Sequence, residues 1–147
     1  MTEKLVIIGN GMAPGRMLEK LFETDPDRYE VTIFNAEPRV NYDRIMLSPV
    51  LSGEKSFDDI VIHGDAWYIE HGIALYKGCK VESIDRANRV VHSINGISES
   101  YDRLVIATGS VPFIIPVPGT NLAGVVTYRD LGELSRQRRT LVKILGN

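Results

Sequence analysis

The segment that most constrains this chain is Leu5-Val6-Ile7-Ile8-Gly9-Asn10-Gly11, four apolar residues running into a glycine pair. An uninterrupted apolar block bounded by glycine suits a parallel strand buried on both faces. Apolar residues then recur at Met17, Leu18, Leu21 and Phe22, which marks one face of a helix. Thr24-Asp25-Pro26-Asp27 ends that helix, because proline cannot continue it. Tyr29 to Phe34 follows as a run of strand formers. Strand, helix and strand in this order form a βαβ unit, with parallel strands and a right-handed crossover expected.

In that context Gly9-Asn10-Gly11 reads as a nucleotide-phosphate turn. The first glycine permits the tight turn, the second lets a pyrophosphate approach the backbone, and a third normally lets helix and strand pack closely. Here the third position is Pro14, with Gly15 after it. Proline is at home in the first turn of a helix. It also disfavours the α region at Ala13, so the helix is expected to begin at Ala13 or Pro14. The amides of Gly11, Met12 and Ala13 are then expected to face an anion, with the helix dipole behind them. The alternative is a glycine turn that holds no ligand. An acidic residue beyond the second strand would bind a ribose hydroxyl. Glu37, 26 residues after Gly11, is at about the right distance, and Asn35 lies nearer the strand end. A polar turn before Pro38 explains both residues equally well.

The rest of the chain changes character. Asp65 to His71 reads as a short helix closed by Gly72, and Ile73 to Tyr76 as a strand. Lys80–Asp85, Arg89–Ile94 and Ile97–Tyr101 are short runs separated by Arg86-Ala87-Asn88 and Asn95-Gly96. Asn-Gly is a strong hairpin signal, so these runs predict a three-stranded antiparallel meander. Leu104 to Ala107 is a second buried strand, ending at Thr108-Gly109-Ser110. A proline-rich stretch leads to a further expected strand from Gly124 to Tyr128. The tail from Asp130 mixes helix formers with the basic residues Arg136, Arg138 and Arg139.

Composition narrows the partners. In 147 residues, 44% apolar and 24% charged, the formal charge is −2. That gives no electrostatic reason to expect nucleic acid or an anionic membrane. No apolar run is long enough to span a bilayer, and the first residues carry no signal-peptide pattern. A single cysteine, Cys79, agrees with a reducing compartment, and a cytoplasmic location is expected. His63, His71 and His92 lack the local pairing of a metal site and read as structural. Asp58-Asp59 and Asp65-Ala66-Trp67-Tyr68 read as a solvated face and a half-buried aromatic. Neither a catalytic residue nor a metal ligand emerges.

Three segments carry a family resemblance: VIIGNGMA, VTIFNAEPRVNYDRIMLSPVLSGE and YDRLVIATGSVPFIIPVPG. Together they resemble the N-terminal FAD-binding region of the pyridine nucleotide–disulfide oxidoreductase superfamily. Within it, they are most similar to the large subunit of assimilatory NAD(P)H nitrite reductases. The resemblance implies an α/β, Rossmann-like FAD-binding fold with a mainly parallel sheet and an antiparallel β-meander. It implies a domain over residues 1–112, with 113–147 as linker and the start of an NAD-binding region. It implies that Gly9 and Gly11 serve the FAD pyrophosphate and that Ala107-Thr108-Gly109 is a second FAD-facing motif. Val81 matches a strand position beside the adenine, or is a plain strand residue. Arg44 matches a segment that runs along the flavin, and the alternative is a solvated charge beside Asp43.

Departures from the family pattern matter as well. Several relatives carry lysine where this chain has Pro49. Disulfide reductases of the superfamily carry a Cys-x4-Cys pair that is missing between Asn41 and Leu51, so a thiol relay is not expected. The NAD(P)H, iron–sulfur and siroheme sites implied for the parent enzyme fall outside the matched motifs. On this reading the chain stops where the nicotinamide domain would begin, and alone it lacks reductase activity. The alternatives are a stand-alone dinucleotide-binding module without catalysis, and a remnant that self-associates through exposed apolar surface.

Overall fold

The computed structural model describes residues 2–133, 135 and 136. It divides into two compact units. The first comprises Met1–Tyr42 and Val61–Gly109, and the second Asp43–Ile60 and the residues from Ser110 onward.

The first unit is built on a four-stranded parallel sheet. Its strands are β1 (Glu3–Ile8), β2 (Tyr29–Asn35), β5 (Ala74–Lys77) and β9 (Arg103–Ile106), in the order β5-β2-β1-β9. β1 runs parallel to β2 from Glu3↔Tyr29 to Ile8↔Phe34, and parallel to β9 from Leu5↔Arg103 to Ile8↔Ile106. The continuous apolar block has a two-sided use, because successive side chains point to opposite faces. Leu5 and Ile7 pack with Val31, Ile33, Leu18, Tyr68 and Ile73 on one face. Val6 and Ile8 pack with Phe34, Cys79 and Val91 on the other.

Each face has its own cover. Helix α1 (Met12–Thr24) and the short helix α3 (Asp65–Glu70) supply Leu18, Tyr68 and the half-buried Met17, Leu21, Phe22 and Trp67 to the first face. The expected meander covers the second: β6 (Val81–Asp85), β7 (Val90–Ser93) and β8 (Ser98–Ser100) pair antiparallel in that order. Val91 of β7 is fully buried against the sheet, with Val81, Ile84 and Ile97 around it. The Asn95-Gly96 turn is present, with Gly96 at φ +78°. Cys79 is buried in the same cluster, as a small apolar residue.

Three expectations change. The strand from Leu104 is not buried: Leu104 and Val105 are half-buried and Ile106 is 63% exposed, because β9 is the edge strand of the sheet. Helix α1 begins at Met12, not at Ala13 or Pro14. Its first turn is already closed by the Gly15 N–H donating to the Gly11 carbonyl at 3.2 Å. Pro14 lies within that turn and removes only a donor that would have no intrahelical partner. Residues 124–128 form no strand. The Val125 N–H is taken by the Leu122 carbonyl in a turn, so no ladder starts there. Arg138 and Arg139 of the basic run lie outside the described residues.

Two small elements had no signal in the sequence. Strand β3 (Asn41–Tyr42) pairs antiparallel with β4 (Val61–His63), placing Asn41 opposite His63. Between them, in the second unit, the chain forms a 3₁₀ turn (Arg44–Met46), helix α2 (Leu47–Ser52) and a second 3₁₀ turn (Asp58–Ile60). The Asp43 carboxylate accepts the Ile45 N–H at 2.8 Å and starts the first turn. The proline-rich tail joins these residues across a long sequence separation, with Ser48 Oγ 2.9 Å from the Tyr128 hydroxyl. Among the described residues, no helix is long and apolar enough to cross a membrane.

Leu18 is fully buried where α1 meets the sheet. Leu18→Ala is expected to lower unfolding free energy by about 2–5 kcal/mol. Urea denaturation followed by far-UV circular dichroism measures it.

Candidate dinucleotide site

The loops after β1, β2 and β9 all leave the carboxyl ends of parallel strands. β1 lies between β2 and β9, so the chain departs to opposite sides of it. In open α/β sheets a ligand crevice forms at such a reversal. Most of the sequence-predicted site residues fall here.

Gly9 is held on both sides. Its N–H donates to the Phe34 carbonyl at 2.8 Å, and the neighbouring Ala107 N–H donates to the Ile8 carbonyl at 2.8 Å. Gly9 has φ +105°, and a Cβ on it would run into the Ala107 carbonyl oxygen and lie 3.2 Å from Thr108 Cα. The first glycine is therefore demanded twice by the fold, by backbone conformation and by the passage of β9. This contact also joins the two motifs, since Ala107 and Thr108 are the residues that Gly9 touches. Gly109, two residues beyond Ala107, has φ +73°.

Gly11 is different. It is the N-cap of α1 in extended conformation, φ −82° and ψ −168°, which any residue adopts. A Cβ built on it meets nothing within 4 Å. Neither backbone conformation nor packing thus demands glycine at this position, while space stands open over the start of the helix. No side chain caps α1. The N–H groups of Met12 and Ala13 open the first turn, where no intrahelical acceptor exists. Met12 and Ala13 are both exposed.

The role of a third glycine is displaced by one residue. A Cβ on Gly15 would overlap the Asn41 side-chain amide nitrogen and press on the His63 ring. Gly15 is where the β3–β4 ribbon meets α1. His63 Nε2 lies 2.8 Å from the Glu19 carboxylate one turn further on, and its ring stacks on Trp67 with centroids 4.0 Å apart. The Arg16 guanidinium, followed by His63, holds the Glu19 carboxyl below its ordinary pKa.

A buried polar cluster lies beneath the loop. The Asn10 side-chain amide meets the Tyr68 hydroxyl, 3.0 Å from Nδ2 and 3.2 Å from Oδ1. Burial raises the Tyr68 pKa, so that hydroxyl stays neutral. Asn41 Nδ2 donates to the Gly11 carbonyl at 3.0 Å. Asn10 and Asn41 lie within the matched segments, but nothing in the sequence marks either of them, or Tyr68, for a buried role. A buried asparagine is indistinguishable in sequence from a loop asparagine.

Beyond β2 the polar turn is internally bonded. Asn35 Nδ2 donates to the Arg39 carbonyl at 2.8 Å, and its Oδ1 accepts the Glu37 N–H at 3.3 Å. The Tyr42 hydroxyl donates to Glu37 Oε2 at 2.7 Å. The entry to the meander is fastened to this turn, Gly78 N–H to the Glu37 carbonyl and Cys79 N–H to the Asn35 carbonyl, at 3.0 and 2.7 Å. Val81 follows, half-buried, its side chain within the cluster on the second face of the sheet. Arg44 belongs to the second unit, where its guanidinium donates to the Arg129 carbonyl at 3.4 Å.

A glycine turn at the reversal of a parallel sheet, backed by a helix N-terminus, defines a dinucleotide-binding α/β domain. The chain belongs to the pyridine nucleotide-disulphide oxidoreductase family, whose model matches residues 3–146. Among its relatives, an NAD(P)H nitrite reductase of Bacillus subtilis (strain 168) is 43% identical over 131 residues, 89% of this chain and 16% of that protein. The NADH nitrite reductase large subunit of Escherichia coli (strain K12) is 35% identical over 133 residues, 90% of this chain and again 16% of the relative. The chain therefore spans about a sixth of the length of these relatives. Among solved structures, an NAD-dependent persulfide reductase from A. fulgidus superposes with a TM-score of 0.84 at 25% identity, covering 95% of this chain and 27% of that one. A ferredoxin reductase from Rhodopseudomonas palustris gives 0.83 at 26% identity, covering 93% and 34%.

The two loop glycines should respond oppositely to alanine. Gly9→Ala is expected to cost at least about 1–3 kcal/mol from backbone strain, before the overlap with Ala107 is counted. Gly11→Ala is expected to cost less than about 1 kcal/mol, as an N-cap change. Thermal unfolding of the two variants side by side measures the contrast.

Proposed function

We propose that this chain binds FAD, as the flavin-binding portion of an NAD(P)H-dependent oxidoreductase of the nitrite reductase large-subunit type. The observation that carries the reading is Gly11, a glycine with no steric cause within the fold, beside open space at a helix start that no side chain caps. A pyrophosphate approaching the Met12 and Ala13 amides supplies that cause, because a side chain at Gly11 would stand in its path. Ala107, Thr108 and Gly109 offer a second stretch of close backbone on the β9 side. Glu37, its carboxylate oriented by Tyr42, and Asn35 mark the ribose side, and Val81 the adenine side. Arg44 is assigned to the flavin side on family resemblance alone.

When bound, FAD supplies the exchange between two-electron hydride uptake and one-electron delivery. The residues of this chain bind and orient; none acts as a catalytic acid or base in this reading. In the whole protein, on this reading, electrons would pass from NAD(P)H through FAD to a metal centre; the names of the nitrite reductase relatives support NAD(P)H as the donor. A cytoplasmic setting belongs to the same reading, supported by the single buried cysteine. A second reading, a flavin-free module that self-associates, draws on the exposed apolar run Val111, Phe113, Ile114 and Ile115 in the second unit.

Mixing the purified chain with FAD and removing the excess by gel filtration tests the proposal. Blue-region flavin absorbance is expected to travel with the protein. Gly11→Val is expected to weaken FAD binding by about tenfold or more while the protein stays folded, since the loss of charge-assisted contacts to phosphate is of this order. A colourless, self-associated wild type with no affinity for FAD supports the second reading instead.

A further inference from the structure

Gly11 presents its carbonyl inward and the following N–H outward. In a trans peptide the C=O and the next N–H point in opposite directions. Whatever anchors the Gly11 carbonyl therefore aims the Met12 N–H. Two donors reach that carbonyl: the Gly15 N–H, which belongs to the helix, and Asn41 Nδ2 at 3.0 Å, which comes from 30 residues away.

Asn41 is suited to serve as a fixed anchor. It is only 1% exposed. It sits opposite His63 in the β3–β4 ribbon, and His63 is clamped to α1 through Glu19 and stacked on Trp67. Gly15 leaves the room that lets the Asn41 amide approach the helix at all. Burying an amide is costly unless its hydrogen bonds are made, and Asn41 Oδ1 has no hydrogen-bond partner in the structure. The residue thus occupies a position where an apolar side chain of similar volume would avoid that cost. Its one side-chain hydrogen bond goes to the phosphate loop.

We propose that Asn41 is a positioning residue for the dinucleotide pyrophosphate, acting through the Gly11 carbonyl to aim the Met12 N–H. The inference rests on the FAD-binding reading above. Asn41 does not touch the ligand. It holds the peptide that does, so the loop loses less freedom when an anion arrives.

The test uses the full chain labelled with nitrogen-15. ADP carries the adenosine and pyrophosphate that FAD also has; adenosine lacks the pyrophosphate. Both are titrated into wild type, Asn41→Leu and Asn41→Ser, with circular dichroism confirming the fold. The leucine variant fills the site without a donor. The serine variant is small enough to fold if leucine is not tolerated. ADP is expected to bind the variants about tenfold or more weakly, as expected for losing a positioned contact to a charged ligand. Adenosine affinity is expected to stay within about twofold of wild type, because the adenosine half lies elsewhere in the crevice. The ADP-induced shift of the Met12 amide signal is expected to shrink. Unchanged ADP affinity, or a parallel fall for ADP and adenosine, overturns the Asn41 role and leaves the FAD reading intact. A wild type that binds neither ADP nor FAD overturns both.

Discussion

The close passage of Gly9 against Ala107 is the constraint on which the rest of the first unit depends. β1 must leave the sheet between β2 and β9, and it does so with its N–H bonded to Phe34 and its Cα against the β9 exit. Only a residue without Cβ, at positive φ, turns there. That turn sets where α1 starts, and so which amides face the crevice. It also brings two sequence motifs, nearly a hundred residues apart, to one edge of the sheet. Without it β9 could not lie beside β1, and the sheet would lose the strand that makes its order reverse.

Most of this framework was legible from residue patterns. β1 and β2 are apolar enough to be buried on both faces, and only a central parallel strand needs that. The meander announced itself through Asn95-Gly96, because that dipeptide favours the positive φ a tight hairpin requires. Where reading failed, the cause was tertiary. Residues 124–128 have strand-forming composition, yet β-propensity describes fit to a sheet surface, and they pair with no strand among the described residues. The β3–β4 ribbon was invisible because two and three residues are too few to show a period. Pro14 misled differently: its effect on Ala13 is a local preference, overridden once Gly15 closes the turn.

The site divides along the same line. Gly9, Gly11, Ala107 and Gly109 could be found because glycine and its neighbours leave a motif. Asn10, Gly15, Asn41, His63 and Tyr68 could not, since their meaning lies in partners far along the chain. The third glycine was looked for at position 14, by spacing from a helix that packs directly on its strand. In this chain the close approach is made by the β3–β4 ribbon on the helix, one residue later. The requirement for a small residue is unchanged, and the element that imposes it has moved.

This division explains why the two loop glycines are not equivalent. A glycine that satisfies the fold is costly to change whether or not a ligand exists. A glycine that neither backbone strain nor packing demands leaves space that a ligand can use. Gly9 belongs to the first kind and Gly11 to the second. The buried amide of Asn10, within the loop, is bonded to Tyr68 of α3, and that of Asn41, from β3, is bonded to the Gly11 carbonyl. An ordinary strand-to-helix turn satisfies its backbone locally and needs no such support. A loop whose N–H groups must stay open to receive an anion gains from being held through its carbonyls and side chains instead. The polar network beneath the turn and the empty space above it are thus two consequences of one demand: a backbone that is rigid on its protein side and unbonded on the other.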